Sequence, residues 1–320
     1  MSLISPPRQA PGRPKQDVLG RVPAPVLLGA GILSVQIGAG IAARMFGTVS
    51  AAGLTGLRLW VAAVVLIGLG ARPAVRAVRG IVTSRAYKDA AVAAGFGLTL
   101  AAMNFSIYQA FDRIPLGIAV TIEFLGPLGV AIAASRRRID VLWVALAALG
   151  VGLLGTSGIS AASFAGSRPG AVVTGLIFAL IAALTWACYI LLSASTGRRF
   201  SGGAGLTIAM GVGAVLITPV AVVSAGRALL KPAVLGTGVA VGLLSSVIPY
   251  RFELESLRRV PPRVFGIWMS LEPAIAALVG VVLLSQSLAL KQWLAIACVT
   301  VATAGAAMTA PSSPAEYYDG

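Results

Sequence analysis

Residues 113–132 read RIPLGIAVTIEFLGPLGVAI, and residues 259–278 read RVPPRVFGIWMSLEPAIAAL. Set against each other at a shift of 146 positions, both begin Arg-x-Pro and carry Leu-x-Pro twelve residues later. Arg113-Ile114-Pro115 meets Arg259-Val260-Pro261, and Leu125-Gly126-Pro127 meets Leu271-Glu272-Pro273. The same shift pairs Ala131 with Ala277, Leu98 with Leu244 and Gly29 with Gly175. With six positions more, Ala52-Gly53-Leu54-Thr55 falls on Ala204-Gly205-Leu206-Thr207. Single Ala, Gly and Leu matches arise by chance in a chain rich in them. Two proline motifs held at one spacing are harder to obtain that way, and the pattern reads as an internal duplication.

Working outward, both stretches lie in a chain of 320 residues that is 58% hydrophobic and 11% charged. Soluble domains are about 45–50% apolar and about 25% charged, so this composition belongs to the bilayer. Ten apolar segments are marked at 24–46, 49–70, 89–111, 115–134, 141–160, 171–194, 204–224, 233–252, 263–284 and 289–308. Each is near the roughly 20 residues that a spanning helix needs. β-barrel strands would be about ten residues of alternating polarity, which these uniform runs are not. The expected fold is all-α and integral to the membrane, with ten transmembrane helices arranged as two inverted five-helix repeats, 24–160 and 171–308. Five is odd, so the second copy enters from the opposite face, an arrangement that characterises secondary transporters with a substrate site near the midplane.

The flanks are polar. Residues 1–23 carry five prolines and four basic residues and read as a disordered tail, without the apolar core of a signal peptide; residues 309–320 form a second tail. With the N-terminus inside, 18 of the 25 Lys and Arg residues fall in segments on the cytoplasmic side and 6 on the other, with Arg58 inside a span. That bias places both termini in the cytoplasm. The formal net charge of +15 is therefore read as topology and not as a nucleic-acid groove.

Several chemistries are excluded. The chain has no histidine, the commonest general base and metal ligand, and Cys188 and Cys298 lie in separate apolar runs. No metal site and no cofactor are expected. Asp17, Asp89, Asp112, Asp140 and Asp319 are scattered near loops and tails, unlike the aspartate clusters that hold Mg²⁺ in membrane transferases. An enzyme is not expected.

Three ionisable groups remain where lipid should be: Arg58, Glu123 and Glu272. Each costs about 2.5–3.5 kcal/mol at the centre of a span, so they are expected to face a shared interior. Glu272 aligns with Gly126, three residues after Glu123, and residues three apart share a helix face; the two carboxylates should project from related faces at similar depth. Pro127 and Pro273, read as helix-interior, free the carbonyls of Glu123 and Met269, and such carbonyls must line a cavity or find a partner. Carboxylates and bare carbonyls suit a cationic group. Arg58 has no charged twin, its counterpart being Met210. Two functional readings follow: the trio clasps the ammonium and carboxylate of an amino acid, or a glutamate carries a proton, since burial favours the neutral form of a carboxyl group. A structural ion pair is the plain alternative.

Supporting residues are Trp268, four before Glu272 and so placed on its face with an indole that attracts ammonium, and the hydrogen-bonding side chains of Gln36, Asn104 and Tyr250, with Tyr108 and Tyr189 beside them. Core packing and interhelical bonding compete as roles for all of these. Gly238 and Gly242 form a small-residue packing face. Glu253 and Glu255, beside Arg251, Arg258 and Arg259, read as a solvated cytoplasmic cluster.

On these residues the chain resembles the drug/metabolite transporters with two EamA-type repeats, and within them the threonine/homoserine exporters. PLGIAVTIEFLGPLGVAI at 115–132 and FGIWMSLEPAIAALVG at 265–280 carry the likeness, with SVQIGAGIAARMF at 34–46 and SSVIPYRFELESLRRVPPR at 245–263. It extends over nearly all of residues 24–308. The resemblance implies a bacterial inner-membrane exporter of small amino acids driven by the proton gradient. The partners expected are a small amino acid, protons and lipid, no nucleic acid, with a homodimer left open. Efflux of a cationic drug or other metabolite and passive flux through a channel are the competing transport readings.

Overall fold

In hydrocarbon every backbone N–H and C=O must find its partner within the protein, and a helix does so inside one segment. The computed structural model describes residues 22–135, 137–156, 170–200 and 203–310, and the apolar segments there are helical. The helices are α1 (Ala24–Arg44), α2 (Ala51–Thr83), α3 (Tyr87–Phe111), α4 (Leu116–Glu123), α5 (Leu125–Ala134), α6 (Asp140–Thr156), α7 (Ala171–Arg199), α8 (Ala204–Ala225), α9 (Pro232–Gly242), α10 (Ile248–Leu257), α11 (Pro262–Met269), α12 (Glu272–Leu284) and α13 (Leu290–Thr309). No strand occurs among the described residues. Among the described residues nine stretches are long and apolar enough to cross a membrane, α4–α5, α9–α10 and α11–α12 each counting as one, and α6 is a shorter apolar helix. The molecule is an all-helical, multi-pass membrane protein. The expected tails fall largely on residues 1–21 and 311–320, and the boundary at 160 on 157–169, all outside the described residues.

Two details depart from the sequence reading. The second apolar segment was bounded at residue 70, with 71–88 as a loop, yet α2 continues to Thr83. Gly70 leaves helical geometry (φ −127°, ψ 21°) and Pro73 follows, so the helix bends there and runs on with Arg72, Arg76 and Arg79 along it. A proline three residues into the new segment lacks only an N–H that a first turn leaves unbonded. Likewise Pro127 and Pro273 are not interior to straight helices. The chain breaks at Phe124 and at Ser270–Leu271, and each proline sits in the first turn of the helix that follows.

The breaks keep the register of the sequence comparison. α4 and α11 are eight residues each, and their ends lie 146 positions apart; so do Phe111 and Leu257, which end α3 and α10. One difference stands out: α3 runs uninterrupted, whereas Leu243–Val247 takes π geometry between α9 and α10.

Helices from the two halves of the chain interleave. α2 packs along α8, α4 along α12 and α6 along α13, while α1 meets α10 and α12, and α7 meets α3 and α4. Glycine permits the tightest approaches. The Gly238 and Gly242 face of α9 receives Leu57 and Val61 of α2, and a Cβ at Gly126 would land on the carbonyl of Ala183 in α7. The main apolar core, including Phe46, Leu54, Tyr108, Phe111, Ile114, Leu116 and Leu283, gathers toward the helix ends remote from residue 24.

Candidate functional site

Six side chains singled out from the sequence line a single cavity of about 240 Å³: Gln36 from α1, Arg58 from α2, Asn104 from α3, Glu123 from α4, Tyr250 from α10 and Glu272 from α12. Glu123 is 9% exposed and Glu272 8%. The charges inside the apolar segments are thus turned inward.

Arg58 is held by the π turn. A π turn disturbs the regular i to i−4 ladder, and here neighbouring helices take up its carbonyls. Ser34 of α1 donates to the Leu244 carbonyl at 2.7 Å, and Arg58 Nη2 donates to the Ser245 carbonyl at 2.8 Å. Arg58 Nε donates to Ser246 Oγ at 3.2 Å. Its guanidinium also lies 5.3 Å from the centroid of the Tyr108 ring, within range of a cation–π attraction. Tyr108 is fully buried outside the cavity lining, stacked edge-on to Phe46 and tilted against Phe111, with no partner for its hydroxyl. These rings form the floor below the arginine.

The two glutamates occupy opposite kinds of helix end. Glu272 is the first residue of α12, where unpaired amides and the macrodipole favour negative charge. It accepts a hydrogen bond from Gln36 Nε2 at 2.9 Å. Glu272 Oε2 and Gln36 Oε1 are buried without partners, so two acceptors there lack a donor. Glu123 is the last residue of α4, where unpaired carbonyls disfavour a carboxylate. Among the described residues neither glutamate forms an ion pair with Arg58, so the plain reading of a structural ion pair finds no contact to rest on. One fixed cation, two dissimilar carboxylates and unsatisfied acceptors around one space can hold a small zwitterion.

Comparison with known proteins shows the family. Residues 173–308 match the EamA-like transporter family. The threonine/homoserine exporter RhtA of Salmonella typhimurium (strain SL1344) is 36% identical over 296 residues, 92% of this chain and 94% of that exporter. The chain belongs to the EamA-like transporters, in their RhtA branch. RhtA of Escherichia coli (strain K12) is 35% identical over 284 residues, 89% of this chain and 91% of that protein. A solved crystal structure superposes with a TM-score of 0.55 at 19% identity, over 89% of this chain and 96% of that one, a likeness of fold. Its relatives are transporters, and this EamA-like protein is not an enzyme.

Two expectations about this transporter need correction. Trp268 is absent from the cavity lining and passes over Gly29 of α1. It was placed with Glu272 by counting four residues along a helix, but the break at Ser270–Leu271 lies between them and removes that periodicity. Glu253, read as part of a solvated cluster, lines the cavity, while Glu255 pairs with Arg258 and Arg259. The signal for Glu253 was available: it follows Tyr250 by three residues, on one face of α10. Trp186 and Tyr189 of α7 also line the cavity, as do Met210 and Met269. Asn104 faces it while its amide donates to the Leu100 carbonyl at 2.8 Å.

Proposed function

We propose that this transporter exports small amino acids of the threonine and homoserine kind across the bacterial inner membrane, in exchange for protons. The name of its relatives supports the cargo class, and the observation that carries the reading is the meeting of Arg58, Glu123 and Glu272 at one cavity. The substrate carboxylate binds Arg58. Its ammonium donates to Glu272 Oε2 and Gln36 Oε1, the two acceptors left without donors. Glu123, at a helix end that disfavours its charge, is the group that exchanges its proton as cargo comes and goes.

Alternating access follows from two inverted halves, 24–160 and 171–308. The shared register of helix ends and the pairing of α2 with α8, α4 with α12 and α6 with α13 support that duplication. Residue 24 and the end of α10 lie together, Ser256 Oγ reaching the Ala24 carbonyl. Glu253 and Tyr250 line the cavity toward that end, and the apolar core backs the other. With both termini in the cytoplasm, as the Lys and Arg bias supports, this is the state that receives cargo from inside.

The test is growth on toxic threonine or homoserine. Expression should confer resistance, and Arg58→Ala should abolish it at equal membrane abundance; resistance unaffected by Arg58→Ala and Glu272→Gln would discard the clasp. One observation favours a second reading. Leu59, Leu66, Leu100 and Met103 make much of the lining apolar, which suits a cationic metabolite with Arg58 structural. Competition of threonine uptake into inverted vesicles by homoserine and not by organic cations separates the two.

A further inference from the structure

The cavity holds more carboxylates than a neutral amino acid employs. Glu123, Glu253 and Glu272 line it with a single arginine. Glu253 interacts electrostatically with Glu272 and with the phenols of Tyr189 and Tyr250. Its carboxylate has no hydrogen bond or ion pair among the described residues, because Arg258 and Arg259 turn to Glu255. Ser246, which fixes Arg58 from the π turn, and Glu253 of α10 both line the cavity. At no more than 1.5 Å per residue the seven positions between them amount to at most about 10 Å along the axis. That is the scale of an extended basic amino acid. The aromatic side chains of Trp186, Tyr189 and Tyr250 line the same space, and ring faces within about 6 Å attract ammonium. The buried acceptors of Gln36 and Glu272 are taken by the α-ammonium in the reading above, which leaves Glu253 with no cation of its own.

We propose that Glu253, flanked by Tyr189 and Tyr250, is a second cation subsite that takes the side-chain amine of a linear basic amino acid, so that the lysine and ornithine class is bound as cargo. The assignment rests on the reading above in one respect: the α-carboxylate and α-ammonium of such a molecule occupy Arg58 and Glu272, as those of threonine do. Charge balance favours the added amine, since a second cation offsets a carboxylate that threonine leaves unpaired. An apolar side chain of equal length would bring methyl and methylene groups to that carboxylate and gain nothing there.

The experiment measures binding of lysine, ornithine, norleucine and threonine to the purified full-length protein by calorimetry, with counterflow in proteoliposomes as a second readout. Lysine and ornithine should bind at least about tenfold more tightly than norleucine, about 1.4 kcal/mol. In Glu253→Gln the lysine-to-norleucine ratio should fall to near unity, and Glu253→Asp, which keeps the charge, should retain an intermediate ratio. Norleucine binding as tightly as lysine to the unaltered protein would overturn the subsite, as would a ratio unchanged in Glu253→Gln. If threonine fails to bind while lysine shows its Glu253-dependent advantage, the subsite stands and the threonine reading falls.

Discussion

Glu123 closes α4 and Glu272 opens α12. In the proposed register each charged position of the cavity meets an uncharged one in the other half: Glu123 meets Met269, Glu272 meets Gly126, Glu253 meets Ile107, and Arg58 meets Met210. The helices that frame the chamber repeat, down to two eight-residue helices ending 146 positions apart, while its charges do not. Under the proposed duplication, shape is what the two halves share. Recognition is what each half acquired for itself, and the π turn beneath Arg58, with no counterpart in α3, belongs to the second category.

The largest effect should come from erasing that asymmetry. Arg58→Met copies the opposite half and should lower threonine efflux at least about 30-fold, since losing one partner of a buried charged contact costs about 2 kcal/mol or more. Adding Met210→Arg should not restore it, because α3 offers no π turn to receive a guanidinium; recovery measured in proteoliposomes would break the comparison. Next come the glutamates. Glu272→Gln should raise the KM for threonine about tenfold, the order of a charge-assisted hydrogen bond, and efflux should still respond to an imposed pH gradient. Glu123→Gln should remove that response. A double variant that kept its dependence on the gradient would end the proton assignment. A smaller change tests packing. Gly126→Ala puts a methyl against the Ala183 carbonyl and should cost about 1–3 kcal/mol of stability, visible as a lower unfolding temperature in detergent. Ser246→Ala removes one hydrogen bond from Arg58, worth about 1 kcal/mol, and should raise KM about fivefold. Trp268→Phe should leave KM unaltered, since the indole lies on α1 and away from the cavity.

Most of this architecture was legible because hydrocarbon admits few solutions. Apolar runs of spanning length gave the helices, and the intramembrane charges at 58, 123 and 272 gave the chamber. What escaped the sequence has local causes. LLSSV at 243–247 holds neither proline nor glycine itself, and the signal that was passed over is Pro249, which has no N–H for the Ser245 carbonyl four residues before it. The break at Ser270–Leu271 falls just before its proline, and counting across it misplaced Trp268. Glu253 was hidden by company, its charged neighbours Arg251, Glu255, Arg258 and Arg259 suggesting water on every side. The continuation of α2 past Gly70 was hidden by composition, since arginine ends an apolar run without ending a helix.

The floor of aromatic rings under Arg58 carries a cost-free second benefit. An exporter driven by a proton gradient, as proposed above, must not short-circuit that gradient when empty. Phe46, Tyr108 and Phe111 pack together as carbon, and the guanidinium laid over Tyr108 sets a fixed positive charge on top of them. Fixed positive charge repels hydronium as it does any cation. Under that proposal the side chain that receives an anionic carboxylate also insulates the idle protein against leakage.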